Sequence, residues 1–185
     1  MIDNASVNRL LEILAVALNL LFTLFYLNSN PWCYLFGILG PLFLMVLCYR
    51  KLLFAEPLLQ IFYIGFAVYG YYNQTPQWEM IHWPFLKHLP LILIGAAISV
   101  LSGFLLSKYT KAKLPYPDSV VTVFAIIGTW LMVNYVHESW LYLLIINFIS
   151  VLIYLRRKMF IGAAMFVIYF LMSIDGYFEL KIFYS

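Results

Sequence analysis

The sequence predicts an all-α, polytopic membrane protein with seven transmembrane helices in a 3+1+3 parallel-repeat arrangement. Composition is the first of three observations behind this. Of the 185 residues, 65% are hydrophobic and only 10% charged, whereas a soluble domain carries roughly a quarter charged residues. Segmentation is the second: a hydrocarbon core ~30 Å thick needs roughly 20 mostly apolar residues per spanning helix, and the apolar runs recur at that length along the whole chain. The third is where the cations fall, which is set out after the helices.

Apolar segments separated by polar or Pro/Gly punctuation lie at about 9–28, 32–49, 52–72, 86–107, 118–136, 139–156 and 159–178. The first has Asp3, Arg9 and Glu12 ahead of a long core and no small-residue cleavage pattern before Asn28. It is therefore expected to remain as a helix of the mature protein rather than act as a signal peptide. The third opens at Glu56-Pro57, and the fourth follows Trp83-Pro84 and carries Pro90 in its first turns; proline is tolerated there because the N–H it lacks would have no intrahelical partner. Asp118 opens the fifth. Cys33 and Cys48 bracket the second, about 22 Å apart at ~1.5 Å per residue, too far for a disulfide within an intact helix.

With seven passes, the N-terminus and the gaps after the second, fourth and sixth helices share one side. That side holds Arg9, Arg50, Lys51, Lys108, Lys111, Lys113, Arg156, Arg157 and Lys158, nine of the eleven Lys and Arg residues; the other has only Lys87 and Lys181. The positive-inside rule then places the N-terminus in the cytoplasm and the C-terminus outside. Trp32, Trp78, Trp83 and Trp140 fall near the opposite boundary, where indole rings are expected to anchor. The net charge of +3 reports topology and affinity for the bilayer, and no basic cluster is interleaved as nucleic-acid binding would require.

An internal repeat accompanies this layout. Asn30-Pro31-Trp32-Cys33-Tyr34 aligns with Glu138-Ser139-Trp140-Leu141-Tyr142, Arg50-Lys51-Leu52 with Arg157-Lys158-Met159, and Gly70-Tyr71 with Gly176-Tyr177, at offsets drifting from 108 to 106. The single transmembrane domain thus divides into repeat one (about 9–72), an inverter helix (about 86–107) and repeat two (about 118–178). Two three-helix units can share an orientation only if one extra helix reverses the chain between them. Gly95, Ser99 and Gly103 on that helix have the small-xxx-small spacing that lets backbones approach in lipid. Parallel repeats are a transporter architecture, with substrate bound near the midplane between them.

Several stretches resemble the PnuC-type vitamin transporters. Leu58-Leu59-Gln60-Ile61-Phe62-Tyr63 followed by Tyr69-Gly70-Tyr71-Tyr72 resembles the LLQ and YGWY signatures of that family. Asp118-Ser119, Thr129-Trp130-Leu131, Glu138-Ser139-Trp140 and Ile145-Ile146-Asn147-Phe148-Ile149-Ser150 resemble its aspartate-led helix, AQWL-like segment, ENW turn and II(N/D)-x-IS helix. Tyr71, Gln74, Thr129 and Ser139 depart from the pattern. The resemblance implies a relative of SWEET sugar transporters in the bacterial cytoplasmic (inner) membrane. Such a protein takes up a vitamin-type nucleoside, typically nicotinamide riboside, by facilitated diffusion, and a cytoplasmic kinase then traps it. It also implies a homotrimer, and it admits thiamine, riboflavin or deoxynucleosides as related substrates.

An aromatic heterocycle on a sugar needs flat faces to stack on and amides or hydroxyls at its edges. Gln60 and Asn147 each sit inside an otherwise apolar helix, either as substrate contacts or as partners in interhelical hydrogen bonds. Trp130 is the tryptophan of a helix interior, available for stacking or for packing. Tyr69 and Tyr71 end the third helix among fifteen tyrosines, with Tyr177 as the repeat counterpart of Tyr71. Thr122 shares a face with Asp118 one turn earlier, and Asp118 equally suits the helix dipole. Asp175, unfavourably placed for a carboxylate at a helix C-terminus, is expected to line an outer vestibule and attract a cationic substrate.

No P-loop, dinucleotide fingerprint, zinc-spaced Cys pair or nucleophile elbow occurs, so the sequence predicts no enzyme and no cofactor. His82, His88 and His137 read as isolated interfacial residues. A membrane scaffold or sensor without a transport cycle is the competing class; it would not need polar residues deep in both repeats.

Overall fold

The computed structural model describes residues 4–50, 56–74, 78–110, 114–156 and 160–183. Seven helices run through them: α1 (Asn4–Leu27), α2 (Cys33–Arg50), α3 (Glu56–Asn73), α4 (Phe85–Tyr109), α5 (Pro115–Val133), α6 (Ser139–Arg156) and α7 (Phe160–Phe178). The predicted boundaries agree to within a few residues where they can be compared. The expected start of the third helix at 52–55 lies outside the described residues, as do Lys51, Lys111, Lys113, Arg157 and Lys158 of the cation pattern. Helix α5 begins at Pro115, so Asp118 is a first-turn acid and Leu114 holds the cap position.

Four helical stretches are long and apolar enough to cross a membrane, namely Ser6–Leu27, Phe85–Tyr109, Pro115–Val133 and Ser139–Arg156; α2 and α7 contribute the shorter apolar cores Cys33–Leu47 and Gly162–Phe178. On α4 the exposed surface is itself aliphatic, including Leu93, Ile94, Ile98 and Leu101. A helix apolar on its exposed side is at home in lipid rather than water.

The chain forms two compact units, Met1–Trp78 with Lys181–Ser185, and Glu79–Leu180. In the first, α2 packs against both α1 and α3. Glycines set the approach: Gly37 lies under Phe22 and Ala67, Gly40 under Asn19, and Gly70 under the Tyr34 ring. In the second, α5 packs on α4 and α6, and α6 on α7. Gly95 is covered by Phe124 and Ile127 and Gly103 by Tyr116, while the buried Ser99 hydroxyl donates to the Gly95 carbonyl at 2.7 Å. The small-residue stripe of α4 is thus a packing seam against α5.

The α1–α2 and α5–α6 turns share their closing hydrogen bonds. Ser29 and Tyr135 take positive φ (51° and 58°). Their N–H groups donate to the Tyr26 and Met132 carbonyls, and the next N–H groups, of Asn30 and Val136, donate to Phe25 and Leu131. This is the Schellman closure of a helix C-terminus. Asn28 and Asn134 each donate Nδ2 to the carbonyl four residues back, at 2.8 and 2.7 Å. Cys33 and Ser139 then open the next helix with N–H groups bonded to Asn30 and Val136. Every pair is offset by 106 residues, so the register of the repeat in this turn is 106 and not 108. Trp140 therefore answers to Tyr34, and Glu138 to Trp32.

That register corrects the reading of the tryptophans. Trp32 is 63% exposed, as an interfacial anchor should be, but Trp140 is 2% and Trp78 8% exposed. Trp140 fills the space left by the missing Cβ of Gly176, as Tyr34 does at Gly70. Trp78 packs between Tyr26 and Tyr34, with ring centres 5.4 and 5.7 Å away. Both rings are core packing, because each meets an aromatic or glycine partner distant in sequence.

Candidate functional site

In the first unit the informative residue is Gln60. It is 5% exposed on α3, and its Oε1 has no hydrogen-bond partner among the described residues. An interhelical bond would have satisfied that oxygen, and buried polar atoms left without partners are uncommon and costly. Tyr69 and Tyr71, on the last turns of the same helix, are both exposed. The Tyr71 ring meets Tyr34 edge-on at 6.2 Å.

In the second unit Asn147 is buried on α6 and donates Nδ2 to the Ser173 hydroxyl of α7 at 3.2 Å; Ser173 donates in turn to the Tyr169 carbonyl at 2.7 Å. This is the interhelical bond weighed against substrate contact, and it occupies one of the amide's two donors. Ser173→Ala is expected to cost about 0.6 kcal/mol, the usual worth of such a bond in a membrane protein, read as a shift of the unfolding midpoint in detergent. Trp130 is about one-third exposed and packs edge-on against Trp83, 6.1 Å between ring centres. Asn147 and Trp130 are each tied to a residue outside the predicted set. Thr122 is half-buried, one turn beyond Asp118. Asp175 is wholly buried, two residues beyond Ser173 on α7, and so lines no open vestibule in this conformation.

The second unit also assembles a polar cluster from residues read singly in the sequence. The segment before α4 pairs with the α5–α6 turn: the Ile81 N–H donates to Tyr135 at 2.8 Å, and the His137 N–H to Ile81 at 2.9 Å. Glu138, at the head of α6, receives the Trp83 N–H at 3.0 Å and lies 3.1 Å from His82 Nδ1. Its other neighbour is His88, whose Nε2 is 3.8 Å from Oε2, and the His82 and His137 rings lie 4.6 Å apart. Two of the three histidines of the chain thus approach one carboxylate, and the third, His137, packs against His82 and lies 3.9 Å from Glu179. Burial works to raise the Glu138 carboxyl, but the N–H groups of Trp83 and of Glu138 itself, with the hydrogen bond and charge of His82, outweigh it and hold the carboxyl below its ordinary value. More than fifty residues separate Glu138 from His82 and His88, so sequence spacing could not show the cluster. The repeat register could have drawn attention to it, since a carboxylate stands where the first repeat has Trp32.

Long apolar helices that bury amide side chains define a polytopic membrane protein. The nicotinamide mononucleotide transporter family matches residues 9–181. The nicotinamide riboside transporter PnuC of Escherichia coli (strain K12) is 25% identical over 177 residues, covering 77% of this chain and 73% of its own; the PnuC of Shigella flexneri matches to the same extent. A crystal structure of the vitamin B3 transporter PnuC shares the fold, with a TM-score of 0.72 at 18% identity over 91% of this chain and 79% of that one. The chain belongs to the nicotinamide mononucleotide transporter family, a family of membrane transporters and not of enzymes.

Proposed function

We propose that this protein carries nicotinamide riboside, or a closely related vitamin nucleoside, across the bacterial cytoplasmic membrane by facilitated diffusion. Cytoplasmic phosphorylation then traps the product. Membership of the family and the names of its PnuC relatives support the substrate class. The observation that carries a role for this chain's own residues is the orphaned, buried Oε1 of Gln60, an acceptor waiting for a donor such as a carboxamide N–H or a ribose hydroxyl. The substrate-binding residues in this reading are Gln60, Tyr69 and Tyr71 of repeat one (about 9–72) and Thr122, Trp130, Asn147 and Asp175 of repeat two (about 118–178), with the 86–107 helix as inverter in a single transmembrane domain. The N-terminus is cytoplasmic and the C-terminus external in this reading, and the assembly is a homotrimer.

Uptake of labelled riboside into proteoliposomes tests it. Gln60→Ala, which removes one hydrogen bond to the ligand, is expected to raise the half-saturating concentration about 3- to 10-fold, the equivalent of roughly 0.5–1.5 kcal/mol, with insertion unchanged. Uptake indistinguishable from wild type would remove Gln60 from the site. Liposomes that pass no riboside but bind it would favour the sensor reading, and a thermal shift with thiamine alone would move the assignment to that vitamin.

A further inference from the structure

A cavity lies wholly within the Glu79–Leu180 unit. It measures about 450 Å³ and is bounded by α4, α5 and α6. One end is polar, formed by His88, Glu138, Tyr142 and the Trp83 ring; the rest is aliphatic or aromatic, running down through Phe124 and Ile145 to Ile149. From Glu138 to Ile149 the wall follows α6 for eleven residues, ~16 Å at ~1.5 Å per residue. That matches one leaflet of a hydrocarbon core ~30 Å thick.

The polar end is incompletely satisfied. His88 is 5% exposed, and its Nδ1 is engaged by the Tyr142 hydroxyl at 3.1 Å. Its Nε2 is buried without a hydrogen-bond partner, 3.8 Å from Glu138 Oε2, on a residue that lines the cavity. In the tautomer that donates Nδ1–H to Tyr142, Nε2 is an acceptor, and it and a carboxylate oxygen at that separation can both be served by one group carrying several N–H donors. The exposed Lys87, whose Nζ lies 5.3 Å from the centre of the Trp83 ring, offers a cation beside a residue of this polar end.

We propose that this slot holds one acyl chain of a zwitterionic aminophospholipid, its primary ammonium between Glu138 and His88 and its phosphate toward Lys87. Length, apolar lining and the order of charges at the mouth each fit that occupant. A quaternary choline head has no N–H to donate, and a glycerol head has no cation. The inference is independent of which molecule the protein transports.

The test is competitive lipid retention. Purified protein is exchanged into equimolar phosphatidylethanolamine, phosphatidylcholine and phosphatidylglycerol of identical acyl chains, and bound lipid is read by native mass spectrometry. About tenfold enrichment of the ethanolamine lipid over the other two is expected. Ile145→Trp and Ile149→Phe, each filling the slot, should abolish bound lipid while circular dichroism and elution volume stay unchanged, and Lys87→Ala should reduce the enrichment. Equal retention of the three lipids overturns the proposal, as does enrichment that persists in both slot-filling variants. A change in oligomer size on filling the slot also overturns it, by showing that a second copy of the chain covers this face.

Discussion

Gly176→Ala is expected to destabilise the protein by about 1–3 kcal/mol, the cost of overpacking a filled core. A Cβ at this position would lie 2.5 Å from two ring atoms of Trp140. That ring is 2% exposed at the first turn of α6 and cannot swing away as the tip of a flexible chain could. Gly65→Ala on α3 is the matched control, because a Cβ there meets nothing within 4 Å; it should stay within about 0.5 kcal/mol of wild type or gain slightly from helix propensity. Unfolding midpoints in detergent measure both. The penalty should also be non-additive with Trp140→Leu, since a smaller side chain relieves the clash and contacting residues couple. Equal midpoints for the two glycine variants would mean that α6 and α7 do not approach at this position.

The same contact shows what the sequence could and could not convey. Helix positions were legible because lipid imposes a length and an apolar composition on each segment, and the α4 stripe was legible because Gly95, Ser99 and Gly103 lie on one face of one helix. The Gly70-Tyr71 and Gly176-Tyr177 pairs were visible as repeat marks, yet their purpose was not. Each glycine serves an aromatic 36 residues earlier, Tyr34 or Trp140, and only packing reveals which ring is swallowed. Trp140 and Trp78 were accordingly read as anchoring rings, whereas both are buried against other side chains. Among the site candidates, Gln60 kept the property that made it interesting, a buried amide with an oxygen to spare. Asn147 was recognisable as a buried amide, but its partner Ser173 lies on a different helix and has no local signature.

Glu138→Ala should loosen the segment preceding α4 more than any other single change in that turn. The carboxylate accepts the Trp83 N–H at 3.0 Å and contacts His82 Nδ1 at 3.1 Å, and a hydrogen bond to a charged group is worth roughly 1.5–3 kcal/mol. Hydrogen exchange at the Ile81 and Trp83 amides reads the local opening directly, and it should accelerate on the order of 10- to 100-fold, the range those energies imply at ~1.4 kcal/mol per tenfold. Glu138→Gln keeps the shape and one acceptor oxygen but not the charge, so its effect should be smaller. Acid should bring the wild type down towards the glutamine variant. The folded carboxyl titrates below its ordinary value of 4.5, so its stabilisation is fully present above that value and is lost as pH falls through the lower, folded one. Wild-type protection at Trp83, once corrected for the intrinsic pH dependence of exchange, should therefore hold from neutral pH to about 4.5 and fall below it. In Glu138→Gln it should show no such acid step. A wild-type profile as flat as the glutamine variant's would mean that the ionised carboxylate does not anchor this segment, and the contact with Ile81 would then have to hold it alone.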